Sequence, residues 1–120
     1  MSIRFDFLKE YQAGVRSMDP DRAMSVVAPD FHFVDGALDY LVTKENFSDY
    51  LKGWESRMQS IGGTGRYEVT DELEQDLPEH LLRWGWWKFT GTDIEGSALV
   101  KVTDVGVLYE KIAYYKMPTK

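Results

Sequence analysis

Two side chains in this chain are of types that could move a proton. Asp35 ends the stretch Phe31-His32-Phe33-Val34-Asp35, whose alternation puts Phe31, Phe33 and Asp35 on one strand face. If that face turns inward, the carboxylate sits at the edge of an apolar cavity. Desolvation then raises its pKa and makes it a usable general base. The competing reading is structural, because Asp35-Gly36 is a common turn dipeptide and an aspartate there bonds backbone N–H groups. Tyr11 lies on the apolar stripe of the first helix, so its ring is expected to be buried. A buried hydroxyl finds a partner. That partner is either a substrate oxygen, polarised as in an oxyanion hole, or another group of the protein itself.

Tryptophan is the next signal. Trp84 and Trp86 share one face of a strand, Trp87 points to the other with Arg83, and Trp54 belongs to a helix. Two indoles on one strand face suit a pocket wall or a subunit interface, since each brings area with one polar handle. Phe33 and Trp54 join them as candidate ligand contacts. The histidines, His32 and His80, are too scattered for a metal site, and no thiolate site exists because there are 0 Cys. No nucleophile elbow, phosphate loop or dinucleotide fingerprint appears, and Gly62-Gly63-Thr64-Gly65 precedes no helix. No cofactor and no metal are expected.

The elements that must position these residues fall into two groups. A helix is expected from Ile3 to Ser17, with Ser2 as N-cap and Gly14 as a weak point. Asp19-Pro20 opens a short helix through Ala23, Met24 and Val27, which Pro29 is expected to stop. After the strand that ends at Asp35, Thr43 caps a third helix from Lys44 to Gln59, with Phe47, Tyr50, Leu51, Trp54 and Met58 on its apolar face. From Arg66 the period becomes two. Tyr67, Val69, Asp71 and Leu73 are placed on one face, followed by strands Leu81–Thr92, Ser97–Thr103 and Val107–Met117. Segregated helices and strands mean α+β, with residues 1–120 forming one domain.

With 14 basic and 20 acidic residues the net charge is -6, without the basic footprint that nucleic acid requires. The opening Met1-Ser2-Ile3-Arg4-Phe5-Asp6 has no apolar core of a secretory signal, and no run approaches a membrane span. A cytoplasmic protein with no nucleic-acid or membrane partner is expected.

Ser17-Met18-Asp19-Pro20-Asp21, then Ala28-Pro29-Asp30-Phe31-His32-Phe33-Val34-Asp35-Gly36, and Trp86-Trp87-Lys88-Phe89-Thr90-Gly91-Thr92 resemble the nuclear transport factor 2-like superfamily, in its SnoaL-like and ketosteroid-isomerase-like branch. The resemblance implies a cone-like, curved, mostly antiparallel sheet packed on three helices around a pocket. One early strand and a four-strand meander would build that sheet. It also implies a proton-transfer isomerase, cyclase or lyase acting on a small apolar carbonyl compound, with Asp35 as base and Tyr11 as donor. A second donor in that family, an acid on a later strand, falls at about Leu99 here, which makes Leu99 a candidate ligand contact in the pocket wall, but a leucine cannot donate. That departure keeps open a non-catalytic domain that binds a hydrophobic ligand or dimerises. A homodimer through the sheet face left bare by the helices is expected on either reading.

Overall fold

A computed structural model describes residues 2–116. The sequence signals at the chain's start hold. Helix α1 spans Ile3–Arg16, and Ser2 Oγ caps it by accepting from the Arg4 N–H at 3.1 Å. Helix α2 spans Pro20–Met24, with Pro20 in its first turn and the Asp19 side chain accepting from the Arg22 N–H. Gly14 is the point where the two helices cross. A Cβ there would stand 2.5 Å from the Ala23 backbone nitrogen, so only glycine permits the contact.

Helix α2 ends before Val27, which opens strand β1, Val27–Asp35. The expected stop at Pro29 is therefore corrected: Pro29 lies inside β1. It is tolerated because pairing to the last strand is interrupted between Val27 and His32, so no ladder bond needs the missing N–H. A two-residue strand β2, Val42–Thr43, pairs with β1 and was not visible as a periodic run. It also displaces the third helix. Thr43 does not cap that helix; its N–H donates to Asn46 Oδ1 at 2.6 Å, and α3 runs Phe47–Ser60. The five apolar residues expected on its face, Phe47, Tyr50, Leu51, Trp54 and Met58, are all buried.

The meander follows as β3 Tyr67–Asp76, β4 Leu81–Phe89, β5 Glu95–Thr103 and β6 Gly106–Lys116. Met117, placed in the last strand from sequence, lies outside the described residues. The sheet has six strands in the order β2-β1-β6-β5-β4-β3, antiparallel except where β1 runs parallel to β6. This is the expected cone-like α+β architecture.

Alternation fails once, in β3. Val69 pairs with Trp87 but Asp71 pairs with Trp86, so Thr70 is an extra residue. Tyr67 and Val69 face the helices. Past the bulge the parity flips, sending Asp71 and Leu73 outward and Glu72 inward, opposite Gly85. The single-face grouping of Tyr67, Val69, Asp71 and Leu73 is corrected accordingly.

Two apolar clusters form. One joins α1, α2 and the start of α3 to β1 and the meander's Leu81, Val100, Val102 and Val107. The other gathers Trp54, Met58, Trp87, Phe89, Ile94 and Ala98. Arg4 fastens the far end, where its guanidinium donates to Asp104 Oδ1 and to the carbonyls of Leu77 and Pro78 at 2.7–2.9 Å.

Candidate functional site

Between the two clusters lies a hollow of about 60 Å³. Tyr50, Leu51 and Trp54 of α3 cover it, and Val15 and Met18 close one side. Its floor is the inner face of the sheet, which the strand register makes explicit. One row across the strands reads Phe33, Glu110, Val100, Arg83, Glu74; the next reads Asp35, Ile112, Ala98, Gly85, Glu72; the third ends in Tyr114, Gly96, Trp87, Val69. Small residues occupy the middle of the second row, and space remains above them. Gly96 carries no side chain because the Trp87 ring lies across it; a Cβ there would come within 2.5 Å of that ring. Trp87 stacks on Phe89 at 4.6 Å, and Phe89 meets Trp54 edge-on at the same distance. A wider polar recess of about 540 Å³ beside Arg16 shares Tyr67 and Val69 with the hollow.

The two residues expected to act together are bonded to different partners. Asp35 is 2 % exposed, and both of its oxygens are occupied. Oδ1 accepts from the Ala37 N–H at 2.9 Å, which is the turn contact that Asp35-Gly36 predicted. Oδ2 accepts from the Tyr50 hydroxyl at 2.7 Å and the Tyr114 hydroxyl at 3.0 Å. Burial pushes both phenols up, and the Asp35 charge pushes them further. Tyr50 lines the hollow and Asp35 does not.

Tyr11 is 1 % exposed and also stands outside the hollow. Its hydroxyl donates to Glu110 Oε1 at 2.7 Å. Burial, then the Glu110 charge, raises the phenol well above its ordinary value, so it stays protonated and keeps donating. Glu110 does line the hollow. Burial raises the Glu110 carboxyl above the ordinary carboxylate range, partly offset by the Tyr11 hydrogen bond and by the charge of Arg83.

Arg83 is 5 % exposed and lines the same hollow. Its Nε and Nη2 both donate to Glu72 Oε2, at 3.2 and 2.7 Å. Glu72 reaches it only because the bulge at Thr70 turns that carboxylate inward. Tyr67, at the rim, is pushed up to about 12, chiefly by burial.

Phe33 and Trp54 line the hollow as expected. The expectation that Trp84, Trp86 and Leu99 wall the pocket is corrected. Inward positions of β4 are Leu81, Arg83, Gly85, Trp87 and Phe89, and those of β5 are Gly96, Ala98, Val100 and Val102. Trp84 pairs with Leu99, and Trp86 with Ser97, on the opposite face. Trp84 is 38 % exposed and its indole N–H donates to Gln75. The indole on the pocket side is Trp87, the third member of the run. Leu99 therefore faces away from the site whatever it replaces, and the inward neighbours Ala98 and Val100 carry no donor either.

Glu110, Arg83 and Tyr50 were not singled out from sequence. A signal for the first two existed: each is a lone charge in an otherwise apolar or aromatic inward row, Glu110 with Ile112 and Tyr114, Arg83 with Leu81 and Trp87. Among the described residues no cluster of three or more acidic or histidine side chains could hold a metal ion. No helix among them is long and apolar enough to cross a membrane.

No family model matches the chain, and no curated protein does. Solved structures do match. An NTF2-like protein of unknown function from Burkholderia pseudomallei superposes with a TM-score of 0.69 at 9% identity, over 95% of this chain and 92% of the other. A protein from Shewanella putrefaciens assigned as a SnoaL-like polyketide cyclase gives 0.64 at 15% identity, over 95% and 80%. One from Parabacteroides distasonis assigned as a ketosteroid isomerase gives 0.63 at 13%, over 91% and 85%. At such identities the likeness is one of fold. The chain carries the nuclear transport factor 2-like fold.

Proposed function

We propose that the domain binds a small, largely apolar carbonyl compound in the hollow and transfers a proton on it, as an isomerase, cyclase or lyase. Glu110 is the base, Tyr11 its positioning partner, and Phe33, Trp54 and Trp87 the apolar walls. The observation that carries this reading is a carboxyl with a raised pKa facing an aromatic hollow, one oxygen held by a buried phenol. That hydrogen bond sets the carboxyl plane and leaves Oε2 for a substrate C–H. A base whose pKa approaches the working pH abstracts and returns protons most effectively. Asp35, with three hydrogen bonds accepted, is assigned a positioning role through Tyr50.

The size of the hollow bounds the substrate. At about 60 Å³ it is far below the roughly 300–1,000 Å³ of drug-sized sites. A ligand of a few heavy atoms enters without rearrangement, whereas a larger one must displace Met18 or Tyr67 toward the polar recess.

The test is deuterium uptake from heavy water at the α-carbon of small ketones, followed by proton NMR. The native protein is expected to accelerate exchange, and Glu110→Gln to lose about 10²–10⁴ of that rate, the usual contribution of a general base. Exchange no faster than buffer across the panel, or full activity in folded Glu110→Gln, overturns the reading.

A further inference from the structure

A base alone does not make a carbon acid react; the electrons released need an oxygen that is held and stabilised. Tyr11 was expected to hold it, but that hydroxyl is spent on Glu110. The Tyr50 hydroxyl is spent on Asp35. We infer that Arg83 is the oxygen-binding group of the hollow, and that the ligand is a small carbonyl compound whose oxygen becomes an enolate on Arg83 Nη1.

The geometry rests on three observations. First, Nη1 makes no hydrogen bond among the described residues, while Nε and Nη2 crowd onto one oxygen of Glu72. Second, the guanidinium is laid flat over a glycine: a Cβ at Gly85 would stand 2.5 Å from Nη1. Third, Arg83 and Glu110 share one inward row with only Val100 between them. Two strand spacings separate their backbones by roughly 10 Å, a gap that two long side chains and a few ligand atoms span.

The charge balance agrees. Glu72, the partner of Arg83, is 51% exposed at its side chain, so water screens it from the interior. A guanidinium is always charged in proteins, and across the hollow this one faces Glu110, whose carboxyl its charge pulls down; once Glu110 has taken the proton it is neutral, and the cation is left for the ligand oxygen. A lone donor of that kind binds an anionic oxygen in preference to a neutral one.

The inference deepens the proposed proton transfer and rests on it for the reaction. Glu110 Oε2 takes the α-proton; the C–H pair becomes the new C–C π bond; the carbonyl π pair moves to oxygen, beside Arg83. Return of the proton from Glu110 to the same or another carbon restores the carbonyl, with no oxidant or co-reactant required.

Acetate and acetamide, matched in shape and differing in charge, test the oxygen site without turnover. In the native protein, titration with acetate is expected to shift the side-chain ¹⁵N resonances of Arg83, with acetamide at least about tenfold weaker. Arg83→Gln should reduce acetate binding to the acetamide level. Gly85→Ala should do the same while keeping the charge, because its methyl pushes the guanidinium off the sheet. If neither variant folds, the native titration decides alone. Equal binding of the two probes, shifts confined to other arginines, or undiminished acetate binding in either folded variant overturns the inference. Acetate on Arg83 without any ketone exchange defeats the reaction and leaves the oxygen site; full exchange in folded Arg83→Gln does the reverse.

Discussion

Two carboxyl groups face inward from neighbouring strands, and their surroundings separate their roles. Asp35 accepts from one backbone N–H and two phenols, enough donors to satisfy a buried carboxylate. Glu110 accepts from one phenol and faces the hollow, where burial favours its protonated form more than the Arg83 charge opposes it. This difference predicts a pH signature. Below the unfolded pKa both states of Glu110 are protonated. As pH rises from about 4.5 through the raised folded pKa, the unfolded chain releases its proton first and stability falls. A glutamine side chain cannot ionise, so the Glu110→Gln protein should gain stability relative to the native protein across that window and hold the gain at neutral pH. Melting temperatures of both proteins from pH 4 to pH 8 measure it; parallel curves would contradict the assigned environment. The turn reading of Asp35 and the protein-partner reading of Tyr11 were both legible from sequence. Their actual partners were not, because Tyr50, Tyr114 and Glu110 are brought in by other elements.

At the scale of elements, the strands build the site by omission. Gly85 and Gly96 leave room on the sheet for a guanidinium and an indole that lie across them. A methyl at position 96 would also stand 2.3 Å from the Ala113 carbonyl oxygen, a backbone atom that cannot step aside. Gly96→Ala is therefore expected to cost about 1–3 kcal/mol in chemical denaturation, the usual range for an overpacked site. Gly53 offers the opposite case. It lies exposed within α3, with nothing within 4 Å of a Cβ. Gly53→Ala should stabilise by about 1 kcal/mol, the difference in helix propensity. Equal effects of the two substitutions would mean that close approach at Gly96 is unimportant. Helix α3 was readable because its apolar period is unbroken. Strand β3 was half readable, since one inserted residue, Thr70, reverses its faces and leaves no mark in composition.

For the molecule as a whole, the helices cover one face of the sheet and leave the other open. The bare face carries Trp84 paired with Leu99 and, on the same side, Leu73, which is 55% exposed. We propose a second copy of this chain as the partner there, because an exposed apolar patch invites cover and two identical patches close with two-fold symmetry. Sedimentation at micromolar concentration should give about twice 13.9 kDa, and Trp84→Glu should shift it to the monomer. A native protein that sediments as a monomer refutes the expectation. Trp84 and Trp86 lose the pocket use, and sedimentation tests the interface use that their pairing allowed.

Period and punctuation are local properties, and from them the sequence alone determined three helices, five of the six strands in chain order and the α+β class; the two-residue β2 and the parallel pairing of β1 with β6 left no such mark. Which face of each strand turns inward is not local. It depends on register, on a bulge at Thr70 and on which partners arrive from distant segments. Only the tertiary structure could therefore exchange Trp84 and Trp86 for Trp87, and set Glu110 with Arg83 where Asp35 had been expected. A proton-transfer site depends on which charges face the hollow, and packing across all six strands decides that. Should Glu110 titrate as an ordinary solvated carboxylate, the fold would stand and the chemistry would not.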